Sequence, residues 1–556
     1  MRPSIQKGIA LSALLALIAG GGCKVGCDYV APQATVNSSY IQIDESKGIR
    51  QEVGADVASW WSQVLQDPVL SRLTSEAVTN NLTLHEALYR IQSARATLGA
   101  TQANQYPQFA EGGGYTYGRS SALQSDYEDY NLSTSMAWEI DVFGRLERAN
   151  EVAMANMEEL RELYRDTYVL VCANVAALYG NARSYQEQIR ISEDNIEIQR
   201  QTLAITRTKN ELGSASKLDE SQALGVCRGT ESSVLSLQTR YQTTLNQISI
   251  LVGRPPGYVD EMMRASAPIP SAPEQIMVGI PAELLRRRAD IRAAEQRVIA
   301  QNARVGVAIG DLYPVFSLNG SFGLDSTSFS GMFDSDSIDA GIGPSFRWNI
   351  LNFGKYRYNV EAQEINLQGQ ISAYREAVLE AAQEVDDALV AYVNERDRLQ
   401  TLSDAVDAYT DAYNLSNERY KSGQIDFQRL LDSQAGKLSY ELQYIQCRAS
   451  MFASVVDLYR ALGGDWMGSA NGQQSAEYVP TTQVSSASTV VATDSSSSRN
   501  GNVRYTTREA TSEAGEPYNP DTEWTERRER SRERVAMALH DDVIMNETLD
   551  SLNVEM

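Results

Sequence analysis

Few side chains in this 556-residue sequence are suited to catalysis or to metal binding. The two histidines, His85 and His540, are too few for a histidine-based metal or acid–base site. The five cysteines form no CxxC pair, and no histidine lies near them at a metal-ligand spacing. There is also no GxxxxGK[ST] or GxGxxG nucleotide loop. We therefore expect no enzyme activity, no cofactor, no metal site and no disulfide.

Cys23 differs from the other cysteines because it stands where a lipid could be attached. A short basic start precedes an apolar run, 9–18, that is too short to span a bilayer as a helix. Small residues then lead to Cys23, as in the bacterial lipobox, although Gly20 stands where that motif usually has leucine. We expect residues 1–22 to be a signal peptide and Cys23 to be lipidated. Cleavage without lipidation is the alternative.

The net charge argues against one class of function, and the residue after Cys23 indicates in which membrane the protein lies. A formal charge of -23 argues against nucleic-acid binding, because a binder needs cations to neutralise phosphates. Lys24 stands where an aspartate would signal retention in the inner membrane, so we expect the outer membrane. No later run approaches the ~20 apolar residues of a membrane-spanning helix. Membrane insertion would therefore use a lipid anchor, a closed barrel or both.

An internal repeat with an offset of about 210 residues organises the chain. The repeat is carried by four matching pairs: Tyr106-Pro107 with Tyr313-Pro314, Phe143-Gly144 with Phe353-Gly354, Gly213 with Gly423, and Gly253 with Gly463. A two-residue slip is expected where Ser221-Gln222-Ala223 matches Ser433-Gln434-Ala435. The pattern predicts a duplicated unit, with a first repeat at 71–265 and a second at 266–468. An extended segment, 23–70, precedes them, and a disordered polar tail, 469–556, follows.

Each repeat contains a long helical hairpin. Apolar residues recur at spacings of three and four along about 144–207 and 354–420, and neither run contains proline. About 64 helical residues would extend for roughly 95 Å. The turns at Gly213 and Gly423 end these runs, and second helices follow at about 216–252 and 426–462. A coiled-coil scaffold would show the same helical pattern.

Each repeat also contains a predicted β-hairpin, at about 109–143 and 315–350. Alternation puts apolar residues on one face: Leu132, Thr134, Met136, Trp138, Ile140 and Val142 in the first repeat, and Ile338, Ala340, Ile342, Phe346, Trp348 and Ile350 in the second. Strands of this kind suit a barrel with lipid outside and water inside. Four strands are too few to close a pore, so three copies would supply about twelve.

Residues 23–466 resemble the lipoprotein outer-membrane factors of the TolC/OprM type. The resemblance is carried by Cys23 to Tyr29, Trp60-Trp61, Asp67-Pro68, Asn81 to Ala87, Pro281 to Ile291, and Tyr313-Pro314. Cys27 and Ala289 stand where the family usually has proline. The resemblance implies a mainly α fold with a β-barrel part, in which a homotrimer forms a twelve-strand outer-membrane barrel and a periplasmic α-helical tube.

The same resemblance implies a function and a set of partners. The chain would be the outer-membrane exit channel of a tripartite efflux pump, passively exporting small molecules. Its partners would be a periplasmic adaptor (membrane fusion) protein, an inner-membrane transporter of the RND type and the lipid of the outer membrane.

The resemblance also implies a gate at the helical tips, which would form the periplasmic entrance. Gly213 and Gly423 mark the tips and the expected adaptor contact. Asp219 and Asp432 match aspartates that form acidic constriction rings, and Tyr420 matches a latch position. Arg429 stands where another family aspartate would be. The alternative for the two aspartates is a solvated acid at a helix N-terminus, which the helix dipole favours.

Two other functions use the same features. The exit duct of a type I protein-secretion system has the same architecture, but its branch usually lacks the lipoprotein start. A structural coiled-coil lipoprotein would need the helices but would have no use for the alternating strands. The transported substrate is not encoded in any pattern of this chain.

Overall fold

The computed structural model describes residues 24–33, 40, 49–51, 67–120, 125–271, 276–278 and 287–464. The chain divides into two units, Met1–Pro480 and Thr481–Met556, and all described residues lie in the first. Cys23, the signal peptide, Trp60-Trp61, residues 281–286 and the polar tail lie outside the described residues. The domain boundaries expected near 70, 265 and 468 stay predictions.

Helices dominate the described part of the chain. After β1 (Ile49–Gln51), which lies in the segment expected to precede the repeats, come α1 (Pro68–Asn80), α2 (Leu82–Ala103), β2 (Gln108–Ser120), β3 (Ser125–Ile140), α3 (Arg145–Glu211) and α4 (Lys217–Leu251). A one-turn α5 (Asp260–Met263) and β4 (Ile276–Val278) follow. The second repeat contains α6 (Ala289–Gly310), β5 (Val315–Ser326), β6 (Ile338–Arg347), α7 (Lys355–Lys421) and α8 (Phe427–Ala461).

The long helices confirm the predicted hairpins. Helices α3 and α7 have 67 residues each, which corresponds to roughly 100 Å. Helices α4 and α8 have 35 residues each. No helix in the described part of the chain has an apolar run long enough to cross a membrane.

The duplication is accurate to the single residue. In the β2–β3 hairpin Phe109 lies opposite Met136, and in the β5–β6 hairpin its counterpart Phe316 lies opposite Phe346. The expected two-residue slip in α8 is wrong, because α4 and α8 have equal lengths and keep a constant offset. The Ser-Gln-Ala match was a local coincidence of sequence.

The core lies where the bases of the long helices meet the shorter ones. Tyr179 of α3 and Phe452 of α8 are at most 1% exposed. The predicted heptad positions of α7 are all buried: Tyr374, Val378, Ala381, Val385, Ala388 and Tyr392. Burial of this seam, more than intrinsic helix propensity, stabilises helices of this length.

The four-stranded sheet and the set of four long helices each have a linear order with two open ends. The sheet order is β2–β3–β5–β6, and all three pairings are antiparallel. The helices pack in the order α4–α3–α8–α7. Within the described residues, β2 and β6 therefore each leave one edge unpaired, and α4 and α7 each leave one side uncovered.

The strands are shorter at their ends than predicted. Strand β3 ends at Ile140, so Val142 and Phe143 lie beyond it. Strand β6 ends at Arg347, so Trp348 and Ile350 lie outside the strand that was predicted to contain them. The ladder stops there because residues 348–350 have no pairing strand among the described residues.

Close packing of α3 against α8 leads to a first prediction. A Cβ atom at Gly180 would lie 2.4 Å from Cδ1 of the buried Phe452 ring. We expect Gly180→Ala to lower the free energy of unfolding by about 1–3 kcal/mol, because the core becomes overpacked. Thermal denaturation of the purified protein measures this change.

Gly229→Ala is the matched control, because a Cβ atom there meets nothing within 4 Å. That helical substitution should raise stability by up to ~1 kcal/mol. Equal destabilisation by both substitutions would contradict the packing argument.

Candidate functional site

The first helical tip is a glycine turn closed by a capping box. Gly213 has a φ of 74°, in the left-handed region that glycine tolerates. The Ser216 hydroxyl accepts a hydrogen bond from the Asp219 amide at 3.1 Å, and the Asp219 carboxylate accepts one from the Ser216 amide at 3.0 Å. Asp219 is therefore half-buried and engaged in starting α4. This is the helix N-terminal role that was the alternative to a gate.

Glu220 ties the two helices of this tip together. Its carboxylate accepts hydrogen bonds from Lys217 at 2.8 Å, Asn210 at 3.0 Å and Arg207 at 3.3 Å. These bonds, led by that from Lys217, lower the pKa of Glu220. Sequence reasoning missed Glu220, although its position one residue after Asp219 puts it within reach of α3.

The second tip uses different residues at the same positions. Gly423 has a φ of 75°, and Asp426 caps α8 by accepting a bond from the Arg429 amide at 3.1 Å. Arg429 is the counterpart of Asp219, since each is the third helical residue. Asp432 is exposed and accepts a hydrogen bond from Gln428 at 2.8 Å. Its counterpart in α4 is therefore Gln222, and not Asp219.

Tyr420 joins the two hairpins within one chain. Its side chain is only 4% exposed, and its hydroxyl lies 3.2 Å from that of Thr206 on α3. The Lys209 ammonium lies 3.9 Å from the centre of the Tyr420 ring and donates a hydrogen bond to the Tyr420 carbonyl. The Phe427 ring packs 5.8 Å away. These contacts suit a latch that links one hairpin to the other.

Sequence reasoning missed Thr206 and Lys209. Their signal was the heptad spacing of α3, which continues through polar residues: Gln188, Ser192, Asn195, Gln199, Thr202, Thr206 and Lys209. Asp219 and Asp432 lie on different hairpins, and the hydrogen bonds described for their carboxylates go to Ser216 and Gln428, not to one another. Their assignment to a gate stays a prediction.

The four-stranded sheet has one apolar and one polar face. Direct cross-strand partners share a face, and the ladder aligns apolar residues across three strands: Leu132, Met136 and Trp138 on β3, Phe316, Leu318, Phe322 and Leu324 on β5, and Ile338, Ile342 and Phe346 on β6. Phe322 is 58% exposed and Ile342 is 74% exposed. Serine, glycine and asparagine dominate the opposite face, including Ser133, Ser135, Ser317, Asn319 and Gly341. One apolar and one polar face are typical of a sheet that separates lipid from water.

The segment after Cys23 is docked at the junction of sheet and helices. The Val25 amide donates a hydrogen bond to the Phe143 carbonyl at 3.0 Å. The buried Arg148 guanidinium donates to the carbonyls of Val25 at 3.1 Å and Gly26 at 3.0 Å. Lys24 pairs with Glu147 at 3.3 Å. These bonds hold residues 24–26 against the start of α3.

Arg288, the residue before α6, has a structural role. Arg288 is 8% exposed and binds Glu384 of α7 at 2.8 Å and the Ala461 carbonyl of α8 at 3.1 Å. Burial opposes its charge, but the hydrogen bonds that it donates to the carboxylates of Asp290 and Glu384 outweigh burial and raise the pKa of Arg288. A buried cation with two carboxylate partners fixes three helices relative to one another.

Comparison with known proteins now identifies the family. Residues 73–254 and 280–464 match the family model described as outer membrane efflux protein, and together they make up more than half of the chain. The chain belongs to the outer membrane efflux protein family. The two matched segments correspond to the two repeats. This family consists of channels for efflux and is not a known enzyme family.

Individual relatives agree with this membership. The antibiotic efflux pump outer membrane protein ArpC of Pseudomonas putida is 28% identical over 470 residues, 82% of this chain and 96% of the relative. OprJ, an outer membrane protein of Pseudomonas aeruginosa, is also 28% identical, with the same two coverages. The solved outer-membrane channel OprN aligns with a TM-score of 0.72 at 29% identity, over 80% of this chain and 100% of that chain.

These findings confirm the predicted resemblance, fold class and main function. The outer membrane efflux protein described here is a channel component of the outer membrane, built from helical hairpins and an antiparallel sheet.

The geometry of the helical tips leads to a prediction that distinguishes the charge of the Asp219 carboxylate from its role in capping α4. We expect Asp219→Ala combined with Asp432→Ala to raise single-channel conductance or weaken cation preference, because carboxylates in a narrow pore attract cations. Currents in planar bilayers measure both quantities.

Ser216→Ala is the control for this pair. It removes the same capping interaction, at a cost of about 1 kcal/mol of helix stability, and leaves both carboxylates in place. If Ser216→Ala reproduces the change in current, Asp219 acts as a cap and the gate assignment fails.

Proposed function

We propose that this efflux protein is the outer-membrane exit channel of a tripartite pump, formed by three copies of the chain. The three sheets would close into a twelve-strand barrel, and the helical hairpins would form a tube through the periplasm. The observation that carries this proposal is the sheet, which has one apolar face and, among the described residues, two unpaired edges, and whose strands β3 and β6 lead directly into the long helices α3 and α7.

Closure by several copies follows from the sheet itself. A membrane strand must pair all its backbone groups, because the bilayer core offers no water to replace a missing partner. Four strands cannot enclose a pore, since barrel width grows with strand number. Twelve strands from three copies satisfy both requirements, and the exposed apolar side chains such as Ile342 and Phe346 then face lipid.

The helical tips would be the periplasmic entrance of the tube. Tyr420 holds the second tip to the first through Thr206 and Lys209, as a latch between hairpins must. Asp219 and Asp432 would form acidic rings when three copies surround the lumen. An adaptor that binds near Gly213 and Gly423 would compete with these contacts and open the entrance.

Lipid attachment at Cys23 agrees with the docking of the next residues. Val25 and Gly26 are bound beside Phe143, where the sheet meets the helices. In a membrane barrel that junction lies at the inner surface of the outer membrane. A lipid on Cys23 would therefore reach the bilayer without any rearrangement of the segment that follows.

The cargo class follows from the relatives. Their names include an antibiotic efflux pump and a toluene efflux pump, so we propose small molecules as cargo. Energy would come from an inner-membrane transporter, of the RND type, through a periplasmic adaptor. The docked lipoprotein start favours this over a type I protein-secretion duct.

Planar-bilayer conductance, with the oligomer mass measured in the same detergent, tests the proposal. We expect steady, cation-favouring currents from a trimer, because two rings of three carboxylates each, from Asp219 and Asp432, would line the narrow entrance. A trimer that carries no current, even after Asp219→Ala and Asp432→Ala, would identify the protein as an envelope scaffold.

Lipidation has its own test. We expect the protein made in cells supplied with radiolabelled palmitate to be labelled, and Cys23→Ser to abolish the label, because the lipid is attached through that cysteine. Cys27→Ser is the control, since Cys27 is exposed and lies four residues away. Label that survives Cys23→Ser, or disappears with Cys27→Ser, would contradict the assignment.

A further inference from the structure

A shallow groove crosses the apolar face of the sheet at Gly320 of β5. The strand ladder places Met136 of β3 on one side of this glycine and Ile342 of β6 on the other. The groove has a volume of about 400 Å³, and Phe322 and Ala340 line its continuation. Most of its lining residues share the face that we expect to meet lipid, so an apolar ligand in the groove would stay outside the lumen.

The groove exists because large side chains surround a position that has none. A Cβ atom at Gly320 would lie 3.5 Å from Cε of Met136 and 3.7 Å from the Gly341 carbonyl oxygen. Ile342 is 74% exposed and Phe322 is 58% exposed, so both side chains project above the glycine. A flexible hydrocarbon chain packs well on such a surface, because dispersion attraction weakens steeply across any gap.

The first described residue, Lys24, lies beside the same face of the sheet. A Cβ atom at Gly144 would lie 3.0 Å from Cα of Lys24. The Val25 amide is bound to the carbonyl of Phe143, the residue before this glycine. The centre of the Phe143 ring lies 6.5 Å from that of Phe316, which belongs to the apolar face of β5. The docked N-terminal segment therefore borders the face that contains the groove.

The groove is within reach of an acyl chain carried by Cys23. Cys23 precedes Lys24 directly, and consecutive Cα atoms are about 3.8 Å apart. From Phe316 to Gly320, β5 advances by four residues, or about 13 Å. An acyl chain extends through one leaflet, which is about 15 Å, or half of the hydrocarbon core. A chain that enters the membrane beside Phe316 therefore reaches the depth of the groove.

We infer that the groove at Gly320 is a binding site for an acyl chain attached to Cys23. The chain passes Phe316 and lies between Met136 and Ile342. The site rests on the lipidation of Cys23 in the proposed function, and it adds the place on the sheet where the lipid is held.

Covalent attachment favours this chain over the free lipids of the membrane. All acyl chains of the bilayer are equally apolar, so burial of apolar surface does not distinguish between them. A free lipid loses translational freedom when it settles in one place. A chain on Cys23 has already lost that freedom, because Arg148 binds the carbonyls of Val25 and Gly26 and holds the segment in position.

Photo-cross-linking in the membranes of the producing cells tests the site. The full-length protein carries p-benzoylphenylalanine in place of Ile342, a residue that forms a bond to a nearby C–H group on irradiation. Trypsin cleaves after Lys24, so the lipid stays on the fragment that contains Cys23, and the photoreactive residue is released within fragment 305–347. We expect mass spectrometry to find these two fragments joined.

The matched control carries the same photoreactive residue in place of Ile338, which lies on the same face of β6 and is 53% exposed. Ile338 lies four residues farther from the helices, or about 13 Å from Ile342. Its cross-links should go to free phospholipid, as should those of the Ile342 variant when Cys23→Ser removes the lipid. Equal yields of joined fragments from both positions, or phospholipid alone at the Ile342 position of a lipidated chain, would overturn the site.

A replacement at Phe322 keeps the test decisive if the Ile342 variant does not assemble. Phe322 lines the same groove and is itself aromatic, so p-benzoylphenylalanine in its place changes the strand least. The same joined fragments are expected, and their absence from an assembled, lipidated protein counts against the site.

Filling the groove provides a second, independent measurement. Gly320→Leu puts a side chain on the groove and should remove most of the cross-link to the Cys23 fragment. The channel current should not change, because the groove faces away from the lumen. Gly343→Leu is the matched control, since Gly343 lies on the polar face of β6 and a Cβ atom there meets nothing within 4 Å. Equal losses of the cross-link in both variants, or no loss in Gly320→Leu, would contradict the site.

Two results separate the acyl-chain site from the proposed function. A protein that carries palmitate on Cys23 and conducts as a trimer, but gives no joined fragments, contradicts the site alone. A protein that takes up no palmitate contradicts the lipid anchor, and the site with it.

Discussion

The constraint on which the structure depends is the need to close a sheet that has an apolar face. Within the part of the chain that the structure describes, strands β2 and β6 each present an unpaired edge, and every unpaired backbone group costs several kcal/mol in lipid. A soluble protein could cover such edges with a helix or with charged side chains. This chain exposes Phe322 and Ile342 on the sheet instead, so only closure into a barrel satisfies both the face and the edges.

The junction between strand and helix transmits that closure to the tube. Gly144 and Gly354 adopt left-handed conformations there, with φ of 71° and 88°, and turn each chain from an extended strand into a long helix. Because the same turn occurs in both repeats, the arc of helices α4–α3–α8–α7 follows the order of the strands. In the proposed trimer, closing the sheet would therefore also bring the open sides of α4 and α7 to neighbouring copies.

The two repeats have diverged where their surroundings differ. Arg148 of the first repeat is buried under residues 24–26 and binds their carbonyls. Its counterpart, Tyr358, is 70% exposed and binds no such segment among the described residues. An aromatic residue at that position is suited to packing against a helix, whereas an arginine is suited to binding the carbonyls of an extended segment.

Periodicity alone predicted most of the fold, because long helices and alternating strands are local patterns. It could not predict the end of β6, since Trp348 and Ile350 alternate correctly but have no neighbouring strand among the described residues. The supposed slip arose because Ser-Gln-Ala recurs by chance two residues out of register, and only the equal helix lengths expose the error.

The gate was harder to predict than the fold. The residues matched to a gate by resemblance lie near the helical tips, and their role as a gate stays a prediction; the contacts of Tyr420 depend on how α7 approaches α3. No spacing within one helix contains that information.

The contact between the two helical hairpins, where α3 packs on α8, explains how the hairpins of such a tube can be stably packed and still separate. Asn195 of α3 donates a hydrogen bond to Glu441 of α8 at 3.1 Å, yet its side-chain oxygen has no partner among the described residues. The same is true of the Gln199 oxygen and the Gln434 nitrogen, although both side chains are at least 95% buried. A buried polar group without a partner costs about 1–3 kcal/mol.

A heptad seam with such groups fixes the register of two helices but contributes little net stability. The bases of the same helices, by contrast, are joined by the apolar core around Tyr179 and Phe452. Separation of the hairpins therefore costs least between this core and the tips, and Tyr420 is the aromatic contact that resists it at the far end. An opening motion confined to that half of the tube leaves the sheet, the junction and the anchor undisturbed.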